Sequence, residues 1–585
     1  MFQNGTPELA GDFPSLDPSG GFIPGADDDC IIDRYGGEDV QALRAAIKYE
    51  GAGWDLTLTT DYTDDQSSPV ADKLIRLIPT ASTMALDANV YQPLWGISYD
   101  QRFLTDSPYK TYATYDDPVP AGTTIPGTYY NGSGDRGGIQ LKREAVVENW
   151  GFSAKTNVEL TEDLSFTMIA AYRDVFTTGI HDPDGSPLGI QTVKTQIQHD
   201  QFTLEPRLNY NSDFMDLTFG AFYYTSDAQT TSNVSIPFIS LQQNALITFD
   251  ASSKAVFGQG VFRPFGPRLG VTLGARWSDD KKDVNFNNGQ GGIVTDVAIE
   301  SSNLDWRAGL DFEVTELVTV YGSAASGYRP GAFNPRPFQA SQLVAVDPEE
   351  AIAYELGFKG DLFNNTMRIN LAGFYTDFKQ RITSAGGAEC RDSGVTGDCV
   401  APVTDDMAQW QTMFEIPNGT SCRPYNAAVD GPQNLAAGIG VTCTSKTLYI
   451  NTPGKVKGVE AELDWRPIEG LQINASGGWS EFNAPELANS VNKRPVYVPE
   501  WTGSAGVQYE IPAPGLGGFI TPRLDWYYQG EIAYNANSAA AFTEAYSVFN
   551  GRITYVNDDG DFQIAVGATN LFDNEYFHNV FDLVP

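Results

Sequence analysis

From about Asp39 to Phe577 the chain repeats one pattern: two strands of alternating polarity, a tight turn, and then a longer polar connection. Between Lys457 and Phe482, Val459, Ala461, Leu463 and Trp465 alternate with Glu460, Glu462 and Asp464. The turn Pro467-Ile468-Glu469-Gly470 follows, and Leu471, Ile473, Ala475, Gly477 and Trp479 then alternate with Gln472, Asn474, Ser476 and Gly478. Successive side chains of a strand point to opposite faces, so each strand has one apolar and one polar face. The same alternation returns in Leu304 to Glu313, in Leu269 to Ser278, and in Trp54 to Tyr62.

One dry face is compatible with a soluble sandwich as well as a membrane barrel. Length separates them. Runs of roughly 9 to 12 residues cross a bilayer when tilted, whereas sandwich strands are shorter and evenly spaced. Aromatic residues gather near strand ends, at Trp54, Trp277, Trp465, Trp479, Trp501, Trp526, Tyr527 and Tyr528, as interfacial girdles require. No apolar run approaches the roughly 18 residues of a membrane helix. The pattern therefore predicts an all-β fold, a transmembrane antiparallel β-barrel.

Short turns are expected at 50–53, 161–163, 211–213, 265–267, 315–316, 361–364, 467–470, 512–518 and 557–560, which makes nine hairpins and 18 strands. The longest connections are expected from about Thr63 to Glu144 and from about Thr383 to Thr447. In outer-membrane barrels short turns face the periplasm and long loops face outside, so this alternation orients the molecule.

Among 585 residues, 37 Lys and Arg stand against 74 Asp and Glu, a formal charge of -37. Nucleic acid is excluded as a partner, because phosphate binding needs a basic surface. Much of the acidic excess falls in predicted loops, at Asp27-Asp28-Asp29, Asp116-Asp117 and Asp405-Asp406, and reads as solvated loop tips. No nucleophile, base and orienting group form a set, so no catalytic residues, enzyme activity or cofactor are expected.

Eighteen strands enclose a lumen too wide for side chains to fill, which leaves a water channel or a plugged transporter. Four segments favour the second. The first runs from Tyr321-Gly322-Ser323-Ala324-Ala325-Ser326-Gly327-Tyr328-Arg329-Pro330-Gly331 through Pro348-Glu349-Glu350 to Tyr354-Glu355-Leu356-Gly357-Phe358-Lys359. The others are Ile369 to Phe378, Lys457 to Glu462, and the closing Gly567-Ala568-Thr569-Asn570-Leu571-Phe572-Asp573-Asn574-Glu575-Tyr576-Phe577. Together and in this order they resemble the β-barrel of TonB-dependent outer-membrane receptors. The resemblance implies about 22 strands, an N-terminal plug, and uptake of a ferric siderophore or similar large nutrient, driven by the inner-membrane TonB complex. It also implies residence in the cell outer membrane, among its lipids. A passive porin or surface binding barrel is the alternative.

The chain departs from the family pattern at both ends. Met1-Phe2-Gln3-Asn4-Gly5 shows no signal peptide, no plug-sized segment precedes the first strand, and no complete terminal strand follows Phe577. The expectation is a fragment lacking the plug: 1–38 an outer loop segment, 39–577 the barrel, and 578–585 the start of a truncated final loop.

Of five cysteines, Cys390, Cys399, Cys422 and Cys443 share one predicted outer loop and Cys30 stands apart. An oxidising exterior favours disulfides there. Three pairings are open, and sequence order favours Cys390 with Cys399 and Cys422 with Cys443. A metal site is not expected, since neither CxxC spacing nor a nearby His appears. Arg329 shares the lumen parity of Thr319, Tyr321, Ser323 and Ala325 and lies at the outer mouth. Arg329 and Tyr321 are the candidate ligand contacts, an Arg being suited to the carboxylate of a siderophore, with hydrogen bonding to the loop as its structural role. Haem receptors of the family usually carry a His in the loop corresponding to Pro330 to Asp347; this loop has none, and His181, His199 and His578 lie elsewhere. Tyr109, Tyr112, Tyr115, Tyr129 and Tyr130 offer rings to a sugar or catecholate, or simply pack their loop.

Overall fold

The computed structural model describes residues 34–69, 145–186, 190–236, 241–289, 294–335, 343–392, 441–484 and 496–581 with few gaps, together with parts of 72–118 and short strands at 138–140, 399–401 and 422–424. Cys30, Asp27 to Asp29, Tyr115, Tyr129, Tyr130, Asp405 and Asp406 lie outside the described residues, as does most of the 1–38 segment.

Among the described residues, eighteen strands that pair antiparallel in chain order and three short added strands, Cys399–Ala401, Cys422–Pro424 and Ile511–Ala513, form one sheet. In chain order the eighteen are β1 (Val40–Gly51), β2 (Trp54–Asp65), β3 (Val146–Glu159), β4 (Leu164–His181), β5 (Thr192–Asn211), β6 (Met215–Ile236), β7 (Leu241–Phe262), β8 (Leu269–Asn287) and β9 (Val294–Thr315). There follow β10 (Val318–Arg329), β11 (Glu349–Leu362), β12 (Met367–Asp392), β13 (Val441–Trp465), β14 (Leu471–Asn483), β15 (Trp501–Tyr509), β16 (Gly518–Gln529), β17 (Tyr546–Asn557) and β18 (Gln563–Ala568). Each strand pairs with its chain neighbours, and all nine expected turns fall between consecutive strands. The Arg76 guanidinium, in the segment after β2, sits 5.5 Å from the ring centroid of Phe542, in the segment before β17, so loops from opposite ends of the sheet meet and the sheet curls round a lumen. Among the described residues no helix is long and apolar enough to cross a membrane.

Alternation sets the two faces of the wall. Leu43, Ile47, Phe219, Val256, Leu273, Leu304, Leu310, Leu356, Val459, Val507 and Ile553 point outward and are exposed. About eight or nine residues from the short turns stands a ring of exposed aromatics: Tyr62, Trp150, Tyr223, Trp277, Trp306, Tyr354, Tyr375 and Trp501. At ~3.3 Å per residue and a tilt of about 45°, that rise is about 20 Å, near the height of an apolar band between interfacial girdles. Starting at Asp174, which opposes Trp150 of this ring, a row on the same outward face rises above it: Asp174 opposes Asp200, Asp200 opposes Asp227, Asp227 opposes Asp250, and Asp250 opposes Asp283. Five carboxylates in one cross-strand row have no place in hydrocarbon, so this row marks the outer surface of the membrane. The Asp250 carboxyl is pushed above its ordinary range, first by its hydrogen bond with Asp227 and then by partial burial.

The structure differs from the sequence reading in strand length. β6, β7 and β9 each have 22 residues and β12 has 26, about twice the membrane-spanning length expected. The segment from Thr383 to Thr447, read as loop, is strand up to Asp392 and again from Val441. Above the membrane both strand faces meet water, so the polarity alternation that marks a strand disappears while the backbone ladder continues.

Candidate ligand-binding mouth

The lower and middle lumen wall is polar and internally paired. Arg173 Nη2 meets Asp61 Oδ1 at 3.0 Å, Arg263 Nη1 meets Asp216 Oδ2 at 2.7 Å, and Arg368 Nε meets Asp361 Oδ1 at 2.8 Å. Arg523 binds Asp525 at 2.6 Å and also donates to Asn474 and Gln508, linking β14, β15 and β16. A second chain runs from Asp55 through Asn157, Thr167 and Asn209 to Thr218 across five strands. These pairs arise because facing residues on neighbouring strands share a side of the sheet.

Tyr321 belongs to this lower wall, three residues into β10. Its hydroxyl donates to Glu355 Oε1 at 2.7 Å, and Lys359 Nζ stands 5.4 Å from its ring centroid. Arg329 ends the same strand eight residues later, about 26 Å further along at ~3.3 Å per residue. The two candidate contacts are thus at different levels of the lumen.

At the outer mouth, the described parts of the connection between β10 and β11, residues 330–335 and 343–348, fold inward onto the extended strands. Phe286, fully buried, and Val284, Ile247, Ala245 and Leu343 form a small apolar core, with Phe249, Val297 and Phe333 against it. Gly331 lies so close to its surroundings that a Cβ would meet the Val346 carbonyl oxygen at 2.5 Å and Ile299 Cγ2 at 2.9 Å, so the Pro330-Gly331 step needs glycine. Val346 N donates to Ala332 O at 2.9 Å and closes the loop base.

Three cations lie near the two ends of this loop. Lys282 Nζ on β8 donates to the Gly331 carbonyl at 2.9 Å, and its burial, with the charge of Arg329, holds its pKa below the usual lysine range although Asp280 opposes the shift. Arg329 Nη2 pairs with Glu349 Oε2 at 2.7 Å, and that same oxygen accepts Ile382 N at 3.0 Å. Arg381 on β12 lies over Phe482 at 4.7 Å, and burial lowers its pKa against the pull of Glu349. Among the described residues neither Lys282 nor Arg381 has a carboxylate within ion-pair distance. A little lower, Arg276 lies between Phe222 and Phe257, 5.4 and 5.6 Å from their ring centroids. Sequence reading found Arg329 and missed Lys282 and Arg381, whose strands were read as ending lower; the alternation Arg276, Ser278, Asp280, Lys282 on the polar side of β8 was the available signal.

The loop tyrosines separate. Tyr112 packs edge-on against buried Phe103, and Tyr109 is 91% exposed. His181 Nδ1, at the outer end of β4, lies 3.7 Å from Asp72 in the segment after β2. Beside it, buried Asp184 accepts hydrogen bonds from Ser186 and Gln191 N, and burial raises its carboxyl to about 6 against those bonds. Among the described residues no group of three His, Cys, Asp or Glu side chains is placed to hold a metal ion.

A membrane-spanning barrel whose inner wall is polar and whose long strands carry cations to an outer mouth defines an outer-membrane receptor or channel. The family model for the TonB-dependent receptor-like β-barrel matches residues 90–571, and the chain belongs to that family. The family is one of outer-membrane receptors rather than enzymes. The ferric-pyoverdine receptor PbuA of Pseudomonas sp. (strain M114) is 24% identical over 325 residues, which cover 53% of this chain and 31% of that protein. The chain thus spans well under half of that relative. Among solved structures, the ferric yersiniabactin uptake receptor FyuA from Yersinia pestis superposes with a TM-score of 0.60 at 14% identity, covering 92% of this chain and 66% of that one. The siderophore receptor PiuA from Acinetobacter baumannii gives 0.60 at 16% identity, covering 93% and 72%. These last two likenesses show the fold.

Proposed function

We propose that the protein takes up a ferric siderophore or similar large anionic chelate at its outer mouth, with transport driven by the TonB complex. The observation that carries this reading is the cation set Lys282, Arg329 and Arg381 on β8, β10 and β12, near the two ends of the connection between β10 and β11. In a chain with twice as many acidic as basic residues, cations held with few carboxylate partners favour an anion from outside. The neighbouring rings of Phe333 and Phe482 give the organic part of a chelate an apolar surface. Relatives named for ferric-pyoverdine and siderophore reception support the same class. Arg329 is the ligand contact of this proposal; Tyr321, deep in the lumen, serves a chelate only during passage.

The test is growth of a strain lacking the receptor on a panel of ferric chelates as sole iron source, with and without TonB. Loss of growth on one chelate, restored by the wild-type gene only when TonB is present, is expected. Unchanged uptake of every iron chelate, or uptake independent of TonB, overturns the proposal in favour of a passive barrel.

A further inference from the structure

The upper ends of β12 and β13 remain in register far above the membrane, and there Cys390 stands directly opposite Cys443. On the other edge of β12, the short strand Cys399–Ala401 pairs antiparallel, with Cys390 opposite Val400 and Arg391 opposite Cys399. A further short strand, Cys422–Pro424, runs parallel beside it and places Cys422 opposite Cys399. The order across this extension is therefore the Cys422 strand, the Cys399 strand, β12 and β13.

That order discriminates among the three possible pairings. Directly opposed antiparallel residues have Cα atoms about 4.5 or 5.5 Å apart, and neighbouring strands lie ~4.8 Å apart, both inside the roughly 4.4 to 6.8 Å that a disulfide spans. Cys390 and Cys399 are on adjacent strands but one residue out of step, so by the two-residue period of a strand they belong to opposite faces. Cys422 and Cys443 are three strand spacings apart, about 14 Å, beyond any bridge. The remaining pairing, Cys390 with Cys422 and Cys399 with Cys443, requires two spacings for each bridge, about 10 Å.

We propose that Cys390 is disulfide-bonded to Cys443 and Cys399 to Cys422, so that two staples in successive rows hold the sheet extension above Arg381. Each bridge forms by thiol–disulfide exchange with a periplasmic dithiol–disulfide oxidoreductase. One cysteine thiolate attacks the oxidant's disulfide, and the second then attacks the first cysteine's sulfur in the mixed disulfide, expelling the oxidant's thiolate. The two cysteine thiols give up two protons and two electrons, and the oxidant leaves as its dithiol. The pairing differs from the one sequence order favours because order along the chain counts residues, whereas a bridge depends on distance across strands.

The experiment is non-reducing peptide mapping of the protein in outer membranes, with free thiols alkylated first. A protease that cuts before aspartate separates all four cysteines, because Asp392, Asp398, Asp406 and Asp430 intervene between them. Cross-linked peptides joining Cys390 to Cys443 and Cys399 to Cys422 are expected. Peptides joining Cys390 to Cys399 or Cys422 to Cys443, or four alkylated thiols, overturn the proposal. In the Cys390→Ser variant, Cys443 is expected to become alkylated while the bridge from Cys399 to Cys422 persists. A Cys443 that stays blocked in that variant also overturns it.

Discussion

The lower wall and the outer mouth handle charge differently. At and below the level of the aromatic ring, Arg173, Arg263, Arg368 and Arg523 each meet a carboxylate on the lumen face. At the mouth, Lys282 donates to a backbone carbonyl and Arg381 rests on an aromatic ring. The lower pairs are structural, since each cation is neutralised where it stands. The mouth keeps positive charge with part of its electrostatic demand unmet, and a visiting anion can meet it. The same division holds for packing: the lower wall presents its apolar residues to lipid, whereas the mouth buries its own in a core around Phe286.

The largest effect is expected where the mouth behaves like a folded domain. Phe286→Ala removes a fully buried ring and is expected to cost about 3 to 5 kcal/mol locally, read as faster proteolysis of the 330–348 loop. Leu356→Ala, at an exposed lipid-facing position, is expected to leave that cleavage rate unchanged. Equal sensitivity at both sites would erase the contrast.

Next comes charge. Arg523→Ala is expected to lower barrel stability in lipid by about 2 kcal/mol, by leaving Asp525 without its partner, and to leave chelate affinity unchanged. Lys282→Ala and Arg381→Ala are expected to do the reverse, each weakening chelate binding about tenfold, a loss near 1.4 kcal/mol, with little change in unfolding. Chelate titrations beside urea unfolding decide between these patterns.

A smaller effect concerns the loops around Asp184. Its folded pKa of about 6 lies above the ordinary aspartate value, so the folded state holds this proton more tightly than the unfolded chain. Stability from this group is complete below the ordinary value and is lost as pH rises through about 6. Tyr99, whose hydroxyl donates to the Asp184 carbonyl, and the contact of Asp72 with His181 face the same pocket. Local protection of 182–186 and 190–192 in hydrogen exchange is expected to be greater at pH 5 than at pH 8, and Asp184→Asn is expected to flatten the difference. Smallest is Asp227→Asn, which relieves like charges opposed across strands and is expected to stabilise by about 0.5 kcal/mol in urea unfolding.

All nine turns and all long strands were readable because hydrocarbon outside and water inside impose a two-residue alternation on every crossing. That signal ends at the membrane surface. β12 continues to Asp392 through Gln380-Arg381-Ile382-Thr383-Ser384, where no alternation sets one face against the other, so Arg381 was read as lying near the start of a loop. Arg329 was readable as a mouth residue because it ends a strand whose lumen parity is plain, whereas its link to Glu349 and its proximity to Lys282 join strands far apart in the chain.

The amino-acid order alone thus determines the membrane wall, its orientation and its family, since these rest on local alternation and on motifs within single hairpins. It leaves open which lumen residues stand together. The gathering of Lys282, Arg329 and Arg381, the inward fold held by Gly331, and the juxtaposition of Cys390 with Cys443 follow from register across many strands. Register above the bilayer is set by backbone hydrogen bonds common to all residues, and such bonds leave no mark on a sequence.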